Sequence, residues 1–573
     1  MLKQHKKLIM YLFKPFTGRF VLLSALLMLI AVLDAAIPYA TKIAIDRFIT
    51  PMTTEGLVPF ATLYAGIILV FGTLIVIFII LAGKLESGIA YRLRKESFDR
   101  MQDYNFSYFD EEGVGKVLSK ITSDIGKLSD IISWGLVDLV WSITFMGIIL
   151  GVMFVINWQL AAIVSIVVPI LVLVSYFFQK RIFFMQKDVR KLNSEIIRLI
   201  NEGITGAITS KTLVTETKNT GEFKEVTENM KDKSIKSAVL SSIYTPVALN
   251  IGSLSVALVV VAGGFYLDNH LISLGTLILF INYSSMIFDP ITQVARVISE
   301  IQAAKAAAER VLNHLAQERS MHVEDPVAHF DIKGEIDFEN VDFSYDARET
   351  VLTDFNLKVG AGEKIALVGE TGSGKSTIVN LICKFYAPTG GRMKLDGVDY
   401  SDIEKEFVQS NLGYVLQTPQ LFSGTIRENI RYGRLDATDE EVEAAARLAQ
   451  SEDFILKLEE GFETKVGEGG AKLSSGEKQL ISIARAILAD PKIFVLDEAT
   501  SSIDVNTEKR IQKAIENVLA HRTSFIIAHR LSTVKFVDRI ILIADGKIKE
   551  MGSHRDLMRK KGAYYQLYMN QFV

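Results

Sequence analysis

Six long apolar runs in the first 300 residues are the strongest constraint on how this 573-residue chain folds. A helix needs about 20 apolar residues to cross the hydrocarbon core of a bilayer. A soluble helical core could contain one or two such runs, but not six. The pattern therefore predicts six membrane-spanning helices, near residues 18–40, 57–82, 131–156, 159–180, 238–267 and 271–297.

The distribution of Lys and Arg predicts how these helices are oriented. Segments 84–130 and 180–238 are rich in basic residues, whereas the short connections 48–56, 157–159 and 268–270 contain none. Connections on the cytoplasmic side carry the excess of positive charge. We therefore expect a multi-pass protein of the cell membrane, with its N-terminus and everything after residue 300 in the cytoplasm.

Both long basic segments also carry apolar residues at helical spacing. One face is formed by Leu85, Ile89, Leu93 and Phe98, and another by Leu192, Ile196, Ile197 and Ile200. The spanning helices are therefore predicted to continue well past the membrane and to turn near 106–115 and 203–212. Such turns would be docking surfaces for a cytoplasmic domain.

Composition narrows the remaining possibilities. The net charge of −3 gives no indication of nucleic-acid binding. Cys383 is the only cysteine, which excludes an intrachain disulfide and is typical of a small buried apolar residue. The expected organisation is an all-α membrane domain over 1–310, a linker over 311–333, and an α/β domain over 334–573. No convincing cleavage site follows the first apolar run, so we expect it to be retained.

A glycine-rich loop follows the apolar strand 365–368 and precedes a helical pattern. Its sequence GETGSGKS has the spacing and both flanks of a phosphate-binding P-loop. Converging backbone N–H groups and the start of a helix suit the phosphates of ATP. The predicted nucleotide-binding residues are Gly369, Glu370, Thr371, Gly372, Ser373, Gly374, Lys375, Ser376 and Thr377. Lys375 would reach the β- and γ-phosphates, and Ser376 would ligate Mg²⁺.

A second strand, 493–496, ends in two carboxylates, Asp497 and Glu498. Asp497 suits Mg²⁺, and Glu498 suits a general base that polarises the attacking water. A strand followed by a polar turn would be the ordinary alternative. The P-loop upstream favours the catalytic interpretation.

Residues 473–477, LSSGE, resemble the LSGGQ signature of ATP-binding-cassette proteins. The region 334–573 resembles such a cassette throughout, and the whole chain resembles an exporter half-transporter. The resemblance implies that Ser474, Gly476 and Glu477 contact ATP held by a second cassette. Ser475 and Glu477 depart from the usual glycine and glutamine, which raises the possibility of a heterodimer with one weaker site.

The same resemblance implies roles for several other residues. Tyr345 matches the aromatic residue that stacks on adenine, Gln417 the glutamine that senses Mg²⁺ and water, and His529 the switch histidine at the γ-phosphate. Residues 501–504 match the D-loop. Residues 464–469 match the loop that contacts the transmembrane turns, with Glu468 as its charged member.

The predicted function is ATP-driven export of hydrophobic or amphipathic substrates by a dimer of half-transporters, with multidrug efflux favoured. Lipid flipping and peptide export are alternatives within the same architecture. A soluble cassette ATPase would lack the spans, and an ATP-gated membrane regulator would not need to hydrolyse ATP. Asp34, Asp138 and Asp289 lie within or near the spans, where Asp34 or Asp289 could bind a cation or bond between helices.

Replacing Glu498 by Gln should leave ATP binding intact and slow hydrolysis roughly 10²–10⁴-fold, because the change removes a positioned base. Nucleotide binding and steady-state phosphate release on purified protein measure the two quantities separately. Near-normal turnover in the variant would refute the role assigned to Glu498.

Overall fold

Two compact units make up the computed structural model, which describes residues 13–317, 327, 329–346, 349–497, 504–528, 534 and 536–572. The first unit contains Met1–Gln102 and Gly113–Gln317. The second contains Asp103–Glu112 and Glu318–Val573. The short segment 103–112 therefore groups with the C-terminal unit, although it lies within the N-terminal half of the sequence.

Six helical stretches of the first unit are long and apolar enough to cross a membrane, as predicted. They are α1 (Lys14–Ile49), α2 (Leu57–Gln102), α4 (Val114–Ile156), α5 (Trp158–Thr205), α7 (Glu216–Asp268), and the pair α8 (Leu274–Met286) and α9 (Phe288–Leu315). Several contain 42 to 53 residues. About 20 residues suffice for a crossing, so these helices extend beyond the apolar layer, as their amphipathic continuations predicted.

The breaks between helices have local causes. Asn157 adopts an extended conformation, and its Oδ1 accepts a hydrogen bond from the Leu160 N–H at 3.0 Å, which caps α5. This is the turn predicted at 157–159. Between α8 and α9 the helix is interrupted at Ile287. Pro290 has no N–H to give to the carbonyl of Met286, the last residue of α8.

Two short helices occupy the predicted turning points. They are α3 (Phe106–Glu112), which belongs to the second unit, and α6 (Ala207–Thr212), which follows Gly206. Helix α2 ends before α3 and helix α5 ends before α6, in each case well beyond the apolar run of the longer helix. The prediction that the spanning helices turn near 106–115 and 203–212 is therefore confirmed.

Ion pairs join helices within the first unit. The guanidinium of Arg310 on α9 donates two hydrogen bonds, of 2.6 and 2.7 Å, to the buried carboxylate of Asp124 on α4. Arg296 pairs with Asp138 at 2.9 Å. This pair gives Asp138 an interhelical role. Asp34 is half-buried and Asp289 is exposed.

The second unit contains two sheets. The six-stranded sheet has the order β10–β9–β3–β8–β7–β6, and the four-stranded sheet has the order β2–β1–β4–β5. The strands are β1 (Ile336–Asp346), β2 (Glu349–Val359), β3 (Lys364–Val368), β4 (Gly390–Leu395), β5 (Val398–Asp399), β6 (Leu412–Val415), β7 (Ile493–Asp497), β8 (Thr523–Ile527), β9 (Arg539–Ala544) and β10 (Lys547–Gly552).

Helices cover both faces of the larger sheet. They are α10 (Lys375–Ile382), α11 (Lys405–Ser410), α12 (Ile426–Arg431), α13 (Asp439–Leu448), α14 (Glu452–Ile455), α15 (Ser475–Leu488), α16 (Val505–Leu519), α17 (His554–Lys560) and α18 (Ala563–Phe572). Successive residues of β7 alternate between two apolar cores: Phe494 and Leu496 belong to one, Ile493 and Val495 to the other. Burial on both faces explains why the strands are almost entirely apolar. Cys383 lies in the second core, where burial raises the pKa of its thiol.

One carboxylate holds the start of the α/β domain. Asp396 accepts hydrogen bonds from the backbone N–H groups of Lys333, Gly334 and Glu335 at 2.8, 3.2 and 2.8 Å.

Substituting Asn for Asp396 should lower the free energy of unfolding of this domain by about 1–3 kcal/mol, because it removes the charge that these donors share. Pulse proteolysis in urea measures the change. The exposed Asp331→Asn is the matched control, and equal effects of the two changes would contradict the prediction.

Candidate functional site

Four adjacent parallel strands bring the predicted nucleotide residues to one edge of the sheet. Strands β3, β8, β7 and β6 are neighbours in this order and all run in the same direction. The carboxyl end of β3 leads into the P-loop, that of β7 carries Asp497, and that of β6 leads to Gln417. Because parallel strands end at a common edge, residues from three distant parts of the sequence meet there.

The P-loop itself has a backbone that only glycine adopts readily. Gly369, Gly372 and Gly374 have φ angles of 152°, 85° and 106°. A Cβ atom on Gly369 would lie 2.3 Å from the carbonyl oxygen of Ile543. The loop can therefore close around phosphate oxygens only with glycine at these positions. Gly374 leads directly into the first turn of α10.

Lys375 lies inside this loop and is 6% exposed. Its Nζ donates hydrogen bonds to the carbonyl oxygens of Gly369 at 3.0 Å and Glu370 at 2.7 Å. Burial lowers the pKa of Lys375 from its usual value, and the carboxylate of Asp497 opposes part of that shift. The lysine is thus held at the phosphate-binding position with a carboxylate nearby.

Tyr345 joins the P-loop helix through its hydroxyl group. This oxygen lies 3.2 Å from Thr377 Oγ1 and accepts a hydrogen bond of 3.0 Å from Asn380 Nδ2. The side chain remains 48% exposed, so its ring is accessible to a ligand. The structure therefore places Tyr345 beside the phosphate loop. Asn380 was not among the predicted residues, because a polar residue in a helix carries no distinguishing pattern.

The proposed magnesium ligands fit the usual chemistry of that ion. Ser376 is exposed on the first turn of α10, Gln417 is exposed after β6, and Asp497 ends β7. Mg²⁺ in nucleotide sites takes one or two carboxylates together with phosphate oxygens and water. Among the described residues, no three His, Cys, Asp or Glu side chains cluster as a metal site.

Two predicted catalytic residues, Glu498 and His529, lie outside the described residues, as do residues 501–503 of the D-loop. The strands that precede them are described. Asp497 pairs in register with Ile527, two residues before His529. Their strands are thus neighbours, and the roles of Glu498 and His529 stay predictions.

The signature residues begin helix α15. Ser474 is its N-cap: the Glu477 N–H donates to Ser474 Oγ at 3.3 Å, and the Glu477 carboxylate accepts the Ser474 N–H and hydroxyl, each at 2.8 Å. Gly476 is buried in the first turn. Glutamate and glutamine both suit this capping position, which explains how Glu477 can replace the usual residue without loss of the helix start.

The loop predicted to contact the transmembrane turns is anchored within the cassette domain. Thr464 accepts the Ile426 N–H at 3.1 Å, and the Val466 N–H donates to Gly424 O at 3.0 Å. The Glu468 side chain lies outside the described residues. A contact of this loop with a turn stays a prediction.

Aromatic residues after α10 were missed by the sequence analysis. Phe385 stacks on Phe106 of α3, with ring centroids 4.2 Å apart. Tyr386 donates its hydroxyl hydrogen bond to Asp110 of α3 and packs edge-on against Tyr345 at 5.1 Å. The sequence offered two signals for these contacts. One is the pair of adjacent aromatic residues shortly before a proline, and the other is the group Phe106, Tyr108 and Phe109 in a polar turn.

Comparison with known proteins identifies the family. Residues 20–291 match the model of the ABC transporter transmembrane region, and residues 352–501 match the ABC transporter model. The chain belongs to the ABC transporter family. A fused membrane region and single cassette make it an exporter half-transporter, with ATPase activity coupled to translocation.

Relatives match nearly the full length of this half-transporter. An uncharacterised ABC transporter ATP-binding protein of Bacillus subtilis, YfiC, is 35% identical over 97% of this chain and 92% of its own. An ATP-dependent lipid A-core flippase of Desulfotalea psychrophila is 34% identical over 95% of each chain. A putative multidrug export protein of Bacillus subtilis, YgaD, is 32% identical over 85% of this chain and 84% of its own.

A solved structure shares the fold of the half-transporter. It is that of a bacterial Atm1-family ABC exporter with ATP bound, with a TM-score of 0.79 and 27% identity. The match covers 97% of this chain and 98% of the other. The predicted fold class is confirmed, and the chain is a multi-pass membrane protein that binds ATP.

Replacing Lys375 by Ala should weaken ATP binding and reduce hydrolysis by about 10²–10³-fold, because the loop loses its only buried cation toward phosphate. Equilibrium binding of ATP and phosphate release measure both effects. Lys509→Ala, an exposed lysine on α16, should behave as the unaltered protein. Normal hydrolysis in Lys375→Ala would contradict the placement of Lys375.

Proposed function

We propose that this half-transporter exports hydrophobic or amphipathic molecules across the cell membrane by alternating access, most readily as a multidrug efflux protein. The observation that carries the proposal is the contact of α3 with the cassette domain beside Tyr345. The segment 103–112 is continuous in sequence with α2 and α4, so a change at the nucleotide edge has a covalent route into two spanning helices.

The active unit in this proposal is a pair of half-transporters. Ser474 begins α15, whereas Lys375 begins α10, and these are different elements of the cassette domain. Ser474 stands at the positive end of a helix, which suits a phosphate held by another cassette, and its hydroxyl would exchange its bond to the Glu477 carboxylate for one to that phosphate. We propose a twofold pair in which each signature closes on its partner's ATP, formed by two copies or by two related chains.

Each residue of the edge then has one task. Lys375 and the P-loop N–H groups hold the phosphates, Tyr345 offers its ring to the adenine, and Ser376, Gln417 and Asp497 hold Mg²⁺. The metal ion, when bound, neutralises the charge of the phosphates and orients them. Glu498 polarises the attacking water, and His529 contacts the terminal phosphate.

Closure of the pair would be reversed when the phosphate contacts are lost. Contacts that exist only in the closed state shift the population toward it, and their loss shifts it back. In this proposal Tyr386 conveys the change, because it touches both Tyr345 and Asp110. The N-terminus and the cassette lie in the cytoplasm, as the basic segments predict.

Lipid flipping is a second candidate. The relative named as a lipid A-core flippase is similar over 95% of both chains, which favours this activity over peptide export. Both candidates use the same energy source and the same cycle. They differ in whether the molecule leaves the bilayer or only changes leaflet.

Reconstitution in lipid vesicles tests the proposal. Hydrolysis of added ATP, the movement of a fluorescent amphiphile and the movement of a fluorescent lipid are measured in the same preparation, with Glu498→Gln as the inactive control. The proposal predicts ATP-dependent movement of at least one probe in the unaltered protein alone. ATP hydrolysis without movement of any probe would refute it and would favour an ATP-gated regulator.

Replacing Tyr386 by Phe should keep basal ATP hydrolysis while reducing its stimulation by an exported amphiphile about three- to tenfold. The change removes a hydrogen bond to a carboxylate and leaves the ring packing in place. Tyr565→Phe on α18 is the matched control. Unchanged stimulation in Tyr386→Phe would show that the Asp110 contact does not couple the two processes.

A further inference from the structure

A second candidate site lies within the helical unit, in a cavity of about 280 Å³ between α5 and α9. Its wall is largely aromatic and aliphatic. The main apolar contributors are Tyr176, Phe183, Phe184, Ile291, Val294 and Ile298. Apolar walls with a few polar groups are the usual composition of small-molecule sites.

One charged side chain lines this cavity. Lys180 is accompanied by the neutral amides of Gln179 and Gln302, and none of the lining residues is a carboxylate. The Nζ of Lys180 lies 5.7 Å from the centre of the Tyr176 ring. The cavity is therefore apolar with a single positive charge, and its four polar side chains, Tyr176 included, can donate hydrogen bonds.

Two carboxylates of the same helical unit are paired with other cations. Asp138 is bound by Arg296 at 2.9 Å, and Asp188 on α5 is bound by Lys233 at 3.2 Å. Lys180 is exposed and lines the cavity, so a ligand that enters the cavity can reach it. An anionic head group would complement that charge, whereas a cationic one would be repelled at close range.

The length of α5 sets the depth of this charge. The helix begins at Trp158, and a rise of about 1.5 Å per residue places Lys180 ~33 Å further along it. The hydrocarbon core is about 30 Å thick, so Lys180 lies at the level of a head group. Tyr176 lies one turn deeper, within the apolar layer. The cavity therefore has a charged end at the head-group level and an apolar end deeper in the membrane, which matches the arrangement of a lipid in one leaflet.

We propose that this cavity binds a single-chain anionic amphiphile from the adjacent leaflet, with the head group at Lys180 and the tail between α5 and α9. The proposal rests on the proposed function, whose substrate class it names. A volume of about 280 Å³ is at the lower limit of small-molecule pockets, which run from roughly 300 to 1,000 Å³. This size favours one alkyl chain over a lipid with several chains.

Binding of two probes to the full-length protein in phosphatidylcholine nanodiscs tests the proposal. The probes are radiolabelled laurate and dodecyltrimethylammonium, which share a chain length and differ in the sign of the head-group charge. We expect saturable laurate binding that is roughly five- to tenfold tighter than binding of the cation. Equal affinities, or tighter binding of the cation, would overturn the proposal.

Variants separate the site from the bilayer. Lys180→Ala should weaken laurate binding roughly five- to tenfold, and Lys180→Arg should retain it. Lys187→Ala, on the same helix outside the cavity, should leave binding unchanged. Val294→Trp should fill the cavity and abolish the saturable component, with basal ATP hydrolysis retained. Unaltered laurate binding in Lys180→Ala and Val294→Trp, or an equal loss in Lys187→Ala, would overturn the assignment.

Transport assays keep this proposal distinct from the function on which it rests. ATP-driven movement of dodecyltrimethylammonium without laurate binding would overturn the anionic site and leave export standing. Laurate binding that depends on Lys180, without ATP-driven movement of any amphiphile, would support the site and overturn export.

Discussion

The parallel alignment of β3, β8, β7 and β6 is the arrangement on which the nucleotide chemistry depends. Each strand ends at the same edge, and at each strand end, or within two positions of it, lies a residue that is predicted to act in phosphate chemistry. Both faces of this sheet are buried, one by helices and the other by helices together with the smaller sheet. The buried sheet supports the glycine-rich loop where the first turn of α10 begins. Without that support, the donors of the P-loop would have to be ordered each time ATP bound.

A different constraint shapes the other unit. In a bilayer every backbone polar group must be bonded internally, so the six apolar runs can only be helices. The helices break where a side chain caps a helix end or where a proline lacks the N–H that would continue the helix. Asn157 caps the helix that follows it, and Pro290 has no N–H to donate to the last carbonyl of α8. An isolated charge is also costly in a bilayer, because it loses its contact with water. The carboxylates of Asp124 and Asp138 are paired with arginines from α9.

Much of the fold was predictable because its signals are local. Hydropathy located the spans, basic residues separated the two kinds of connection, and glycine spacing with a preceding strand located the P-loop. The predicted positions of Tyr345, Lys375 and Asp497 agree with one common edge, although their catalytic roles stay predictions. The contacts of Tyr386 with Asp110 and Tyr345 were not predictable, because they join residues 276 and 41 positions apart, for which no motif exists. The cavity at Lys180 was missed for the same reason: one lysine at the end of a span is ordinary in sequence.

The sequence by itself determined which segments enter the bilayer and which loop grips phosphate, since both depend on the properties of consecutive residues. Only the tertiary structure decided what lies beside what: the grouping of segment 103–112 with the cassette domain, the contacts of Tyr386 with Asp110 and Tyr345, and the single cation in an apolar cavity. The reason is physical. Transfer into lipid and local backbone geometry act on neighbours along the chain, whereas packing and charge pairing act across space and require the folded coordinates.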